Sequence, residues 1–198
     1  MTARPGKESR AAPPQVGASV AEVFMMAFRH HPAGVAIITA DPGDGPVALT
    51  VSSLISISAS PPMVAFSLSD NSSSAHAVRR AETVVVHFVR RSDMELARLC
   101  ATRGKDRFGP DVRWARLESG EPHYPDVGLW FQAAIRGLFP VPGACLVSAE
   151  LLKASPGAQE GQQDDTLVYA NRAWHGLRSI ADAGLAPLFL WPDDSATF

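Results

Sequence analysis

The chain has 198 residues, 46% of them hydrophobic and 19% charged, with a formal net charge of −2. This suits one folded domain with a good-sized core, excludes a disordered chain, and leaves no basic footprint for nucleic acid. No apolar run approaches the ~18 residues of a membrane span and no leader-like segment opens the chain, so the expectation is a cytoplasmic protein with no membrane partner.

Residues 1–18 are rich in Pro, Gly, Ala and charge and are expected to form a disordered arm. "SVAEVFMMAFRHH" follows, with apolar residues at helical spacing and a capping box of Ser19 and Glu22 at its start. Its stripe of Val23, Phe24, Ala27 and Phe28 is expected to dock on the core. The chain then turns to β-structure. "GVAIITA" (34–40) is a short apolar strand closed by the turn "DPGDGP". Residues 47–60 read as one strand: Val47, Leu49, Val51, Ile55 and Ile57 are apolar, while Thr50, Ser52, Ser56 and Ser58 carry hydroxyls. The alternation inverts at Ser53-Leu54, which reads as a bulge that frees backbone N–H and C=O groups. "MVAFSLS" (63–69) and "TVVVHFV" (83–89) are further strands. "SDMELARLCATR" (92–103) reads as a helix with a second capping box, Ser92 to Glu95. Three β-prone runs (128–141, 144–154 and 166–174) complete the domain, with a polar surface loop at 155–165. Short strands, few helices and no regular βα alternation argue for an antiparallel barrel, and no glycine-rich nucleotide loop is present.

The candidate chemistry gathers between residues 50 and 80. Small hydroxyls on the strand around Thr50 and Ser52, with Ser67 and Ser69 on the next, suit a flat heterocycle whose edge needs hydrogen bonds but whose face must stay unblocked. "SDNSSSAHAVRR" runs into a helix start, where Ser72, Ser73 and Ser74 either make a nest for a phosphate or simply cap the helix. Together the two stretches suit a ligand the size of FMN. Arg107, in "GKDRFGPD", either reaches a phosphate or pairs with Asp106. His76 stands beside the serine cluster. His87, in a β-branched run, reads as a satisfied core or edge histidine, and His175 as a strand-end residue. His30 and His31 point about 100° apart on a helix and do not chelate one ion. No metal-ligand spacing occurs, and Cys100 and Cys145 read as buried small hydrophobes.

In this order the stretches resemble the flavin reductase family of the FMN-binding split barrel, the small reductase components of two-component flavin monooxygenases. The likeness runs from about Phe24 to Leu177. "FMMAFRHHPAGVAIITA" is similar to the family's opening helix and first strand, without its first Arg. "ALTVSSLISISASPPMVAFSLS" is similar to its Thr/Ser-rich signature ending in Pro-Pro. "NSSS", "MELARLCA" and "KDRF" fall where the family has its serine loop, its Glu-Leu-Ala helix and its Asp-Arg/Lys-Phe turn. "LVYANRAWHGL" is similar to the closing strand.

The resemblance implies a mainly β, antiparallel split β-barrel with a few short flanking helices, spanning 19–178. It also implies a homodimer, with FMN or FAD near the subunit interface and NAD(P)H as co-substrate. Thr50, Val51, Ser52 and Ser53 would line the isoalloxazine edge. Ser67, Leu68 and Ser69 would follow the ribityl chain. Ser72, Ser73, Ser74 and Arg107 would serve the phosphate, with Trp174 and His175 on the nicotinamide side. The implied reaction is hydride transfer from nicotinamide to flavin with no essential side-chain acid or base, the reduced flavin passing to an oxygenase partner. Two departures stand out. The family's Gly-Asp-His triplet falls at Pro142-Gly143-Ala144, without the histidine associated with NAD(P)H, and a family phenylalanine is Cys100. They keep open a split-barrel flavoenzyme that uses another reductant or acts directly on a small organic substrate. A non-enzymatic flavin-binding protein is the third reading. The extension 179–198 is expected to pack Leu188, Phe189, Leu190 and Trp191 on the body or on a partner subunit.

Overall fold

A computed structural model describes residues 19–156 and 166–177. The arm at 1–18, most of the loop 155–165 and the extension 179–198 lie outside the described residues. Among those described, the elements in chain order are α1 (Val20–His30), β1 (Ala33–Gly34), β2 (Ala36–Ala40), β3 (Val47–Val51), β4 (Ile55–Ala59) and β5 (Pro62–Ser69). They continue with α2 (Ala75–Arg80), β6 (Thr83–Phe88), α3 (Met94–Ala101), β7 (Ala115–Arg116), β8 (Pro122–His123), β9 (Leu129–Val141), β10 (Ala144–Ala154), β11 (Leu167–Ala170) and β12 (Ala173–Gly176).

Seven strands form one antiparallel sheet in the order β3-β2-β6-β9-β10-β5-β4, and β1-β11-β12 form a small second sheet beside it. The alternate residues Ala36, Ile38, Leu49, Val51, Val64, Phe66, Leu68, Val84, Val86, Val147 and Ala149 share one core. Strands from both halves of the sheet therefore face a common interior, which is the rolled geometry of a barrel. Ala75 and Val78 of α2 pack into that core. A second apolar layer covers the outside of β2 and β3, where Ile37 and Ala48 meet Ala97 and Cys100 of α3, Tyr124, Val127 and Leu167. Two covered faces explain why β2 is buried at every position and reads as a continuous apolar run.

The sequence expectations need four corrections. Residues 47–60 are two strands, not one bulged strand: β3 and β4 stand at opposite edges of the seven-stranded sheet. The inversion at Ser53-Leu54 marks where the chain crosses between them. Residues 166–174 likewise divide into a hairpin, because Asn171 (φ 48°) and Arg172 (φ 60°) are both left-handed. The capping box at Ser19 and Glu22 forms, but the Ser92–Glu95 box does not. There the carboxylate of Asp93 accepts from the Arg90 N–H at 2.8 Å and starts a short 3₁₀ turn before α3. Finally, α1 has no buried residue, and Phe24 and Phe28 are 57% and 61% exposed, so its apolar stripe is not docked on this chain's core.

His87 holds the outer layer together. Its ring is fully buried, Nδ1–H donates to the Ile37 carbonyl at 3.2 Å, and Nε2 accepts from the Tyr124 N–H at 3.1 Å. An accepting Nε2 has no proton, so the imidazole is neutral, and desolvation above all lowers its pKa from 6.5 to about 3. In the unfolded chain the same ring protonates near its ordinary value. The unfolded state therefore binds the extra proton throughout the interval from 6.5 down to about 3, and stability falls as pH falls through it. His87 should cost about 1.4 kcal/mol of stability per pH unit in that window. The expected result is that His87→Gln, although less stable at about pH 7, loses less further stability down to about pH 5 than the parent does. Urea unfolding at the two pH values checks this, and parallel losses in both proteins would contradict it.

Candidate functional site

The seven-stranded sheet does not close. β4 pairs only with Pro62–Ala65 of β5, which leaves the Phe66–Ser69 half of β5 with no strand on that flank among the described residues. β3 pairs with β2 on one side and, among the described residues, has no strand on the other. The two edges approach each other across a seam without forming a ladder. Ser53, in the crossing segment, bridges it: its hydroxyl accepts from the Ser67 N–H at 2.9 Å.

The seam opens into a cleft of about 410 Å³, lined by Leu49, Thr50, Val51, Ser52 and Ser53 on one side and Ser67 and Ser69 on the other. Asn71, Ser72 and Ser73 form one end, while Cys100, Ala101, Arg103 and Arg107 supply the remaining wall. Among the described residues this lining holds two guanidinium groups and no carboxylate, a charge balance that favours an anion. A smaller recess of about 250 Å³ adjoins it through Thr50, Ser52 and Ala101 and is walled by Val35, Tyr169 and Trp174. The Tyr169 and Trp174 rings meet edge-on with centroids 5.1 Å apart.

Most residues expected from the sequence therefore meet in one place: Thr50, Val51, Ser52, Ser53, Ser67, Ser69, Ser72, Ser73 and Arg107 line the cleft, with Trp174 in the adjoining recess. Three do not line either. The side chain of Leu68 is fully buried in the barrel core, since it alternates with Ser67 and Ser69. His175 is exposed, with Nε2–H donating to the Ala170 carbonyl at 3.1 Å, because alternation on β12 turns it away from the face that carries Trp174. Ser74 is 2% exposed and donates its only hydroxyl proton to the Ala48 carbonyl at 2.9 Å, so it has none left for an anion. The Thr50 hydroxyl is also committed, donating to the Ala97 carbonyl at 2.7 Å and tying α3 to β3. The helix after the serines, α2, has only six residues, and the anion-attracting charge comes instead from the arginines. His76, on α2, is exposed and absent from the cleft lining. Among the described residues no group of His, Cys, Asp and Glu is arranged to hold a metal ion.

Arg103, Asn71 and Cys100 line the cleft although the reading of the sequence gives them no part in it. Arg103 carries a usable signal: it lies four residues before Arg107, just past the end of α3. Cys100 is inert. Burial pushes its thiol up to about 11, with the Tyr124 hydroxyl 3.5 Å from Sγ. Both Cys100 and Cys145 are free and buried. A disulfide-type thiol reagent at about pH 8 should therefore titrate neither cysteine in the folded protein and both after denaturation. Rapid labelling of Cys100 in the folded state would contradict this geometry.

The flavin reductase-like domain family matches residues 28–178. An NADH:FMN oxidoreductase of Rhodococcus erythropolis is 32% identical over 166 residues, which is 83% of this chain and 84% of that protein. A stachydrine N-demethylase reductase subunit of Rhizobium meliloti (strain 1021) is 29% identical over 110 residues, 55% of this chain and 47% of that one. Among solved structures, a flavin reductase domain protein from Arthrobacter sp. FB24 superposes with a TM-score of 0.72 at 30% identity, covering 79% of this chain and 95% of its own.

Proposed function

The chain belongs to the flavin reductase-like family, and from that premise we propose that it is an NAD(P)H:flavin oxidoreductase that binds FMN in the seam between β3 and β5. The observation that carries this reading is the cleft itself. It joins two unpaired strand edges, a row of small hydroxyls and two arginines, which suits a flat ring at one end and a phosphate at the other. FAD is the alternative flavin.

Bound flavin supplies the hydride-accepting chemistry. The chain's own part is to place and polarise it. The edges of β3 and of the second half of β5 make no ladder with each other; the Ala48 carbonyl, the Ser67 N–H and the Ser69 carbonyl are taken by Ser74, Ser53 and Ser72, so a heterocycle edge would meet the groups those bonds leave over and the small hydroxyls of the lining. Ser52 stands where the cleft meets the aromatic recess, so a ring held there has Tyr169 and Trp174 close by. Ser72 and Ser73, with Arg103 and Arg107, serve the phosphate end. A hydride transfer to the flavin is expected to need no side-chain acid or base. The reduced flavin passes to an oxygenase partner, a reading supported by the Rhizobium meliloti relative named as a demethylase reductase subunit. A cytoplasmic setting follows from the pyridine-nucleotide supply, and among the described residues no helix is long and apolar enough to cross a membrane.

One observation favours a second reading, a split-barrel flavoenzyme with another reductant or a direct organic substrate. The stretch Pro142-Gly143-Ala144, which lacks the family histidine, sits at the rim of the cleft: Ala144 pairs with Ser69, and the Gly143 carbonyl accepts from Asp70 N–H at 3.0 Å. Anaerobic mixing of the purified protein with FMN and either NADH or NADPH separates the two. Bleaching of the flavin absorbance by at least one nucleotide is expected. A protein that binds FMN yet bleaches with neither supports the second reading.

The chain works as a homodimer in this proposal. The uncovered apolar face of α1 and the exposed Ile55 adjoin a groove of about 840 Å³ that shares Ser52 and Ser53 with the cleft. A partner subunit seated there would bury that face and border the flavin. Replacing Phe24 and Phe28 together by Asp should convert dimer to monomer in sedimentation velocity, and an unchanged dimer would place the interface elsewhere.

A further inference from the structure

We propose that Ser74 is a positioning residue: it holds the Arg107 guanidinium in place, and so makes the cleft select flavins that carry a terminal phosphate. This rests on the flavin reading of the cleft and assigns the source of its selectivity.

Hydrogen-bond direction carries the argument. The Ser74 hydroxyl has one proton, and that proton goes to the Ala48 carbonyl of β3. Towards Arg107 the same oxygen is only an acceptor, and it receives Nη1–H at 3.1 Å. Nη2–H donates to the Thr102 carbonyl at 3.0 Å, so the planar fork is held at two points. Two of the five N–H donors of the guanidinium are thereby used by the protein. Arg107 lines the cleft, and of its remaining donors Nε is buried with no hydrogen-bond partner among the described residues.

The backbone beneath is fixed as well. The Tyr124 hydroxyl donates to the Arg107 carbonyl at 3.0 Å, and Phe108 stacks on Tyr124 with ring centroids 5.7 Å apart. Trp114 Nε1–H donates to the Phe108 carbonyl at 2.8 Å. Asp106, the neighbour expected to compete for Arg107, accepts from the Phe108 N–H at 2.9 Å instead. A cation that is already oriented loses little side-chain entropy when an anion arrives, which is the benefit of such an arrangement. Ser74 lies one residue beyond the serines that line the cleft and acts differently from them, supporting the cation rather than touching the anion.

The test is fluorescence titration of the full-length protein with FMN and with riboflavin, which lacks the phosphate. The parent should prefer FMN. Ser74→Ala should weaken FMN about 10-fold and leave riboflavin within about twofold, while Arg107→Ala should weaken FMN about 30-fold. The double variant should be no worse than Arg107→Ala alone, because the serine acts through the arginine. Ser74→Thr, which keeps the hydroxyl, should restore most of the preference. Arg107→Lys keeps the charge without the fork and gives a second reading should Ser74→Ala fold poorly; it should lose about 10-fold in the FMN-to-riboflavin ratio. Equal weakening of both flavins in Ser74→Ala, additive losses in the double variant, or an undiminished ratio in Arg107→Lys overturns the proposal. So does a parent that binds both flavins equally, and in that case the flavin reading of the cleft still stands. A parent that binds neither flavin overturns both.

Discussion

Two strand edges that face each other without pairing govern what the rest of this molecule does. A sheet of seven twisted strands rolls far enough for β3 and β5 to share an interior, yet β4 covers only the first half of β5. Along the second half and the edge of β3, side chains and the serine turn, not a neighbouring strand, take several of the backbone groups that a closed barrel would pair: Ser74 at Ala48, Ser53 at Ser67 and Ser72 at Ser69. Open edges invite non-specific pairing with another chain. Here they are short, bridged by the Ser53 hydroxyl at Ser67, and overlooked by α3 and the loop that carries Arg107. The same opening that weakens the barrel creates the cleft proposed to bind the flavin.

Support for that opening comes from outside the barrel. The layer of α3, Tyr124 and Val127 on the outer faces of β2 and β3 stabilises the strand whose edge is unpaired. It does so with few and specific polar contacts: Thr50 to Ala97, His87 between Ile37 and Tyr124, and Ser74 between Ala48 and Arg107. Each of these hydroxyls and ring nitrogens has its partner, so these contacts orient the layer without leaving their own polar atoms stranded. Because the layer also carries Arg107, the stability of the strand and the charge of the cleft share one set of contacts.

Much of the architecture is legible in the sequence for local reasons. Strand runs show through β-branched content, β2 through its unbroken burial on two faces, and α1 through a capping box that satisfies its first N–H groups. The serines and Arg107 stand out because small hydroxyls and a charged turn are unusual next to apolar strands. Where the structure refines or departs from the expectations, the cause is non-local. Thr50 and Ser74 have hydroxyls like their neighbours, and only the packing of α3 and the loop reveals that those protons are committed to Ala97 and Ala48. The helix stripe of α1 is amphipathic as expected, but amphipathicity states that a face wants cover and not what covers it.

By itself, then, the sequence determined the element types, the antiparallel β-class and the residue kinds from which the cleft is built. Period and capping are properties of neighbours along the chain. Only the tertiary structure decided that residues 47–60 split into two opposite sheet edges, that Leu68 and His175 turn away from the cleft, and that Ser74 serves Arg107. Each of these depends on which strand, helix or loop arrives from a distant part of the chain to take a hydrogen bond or cover a face, and spacing along one segment does not encode that arrival.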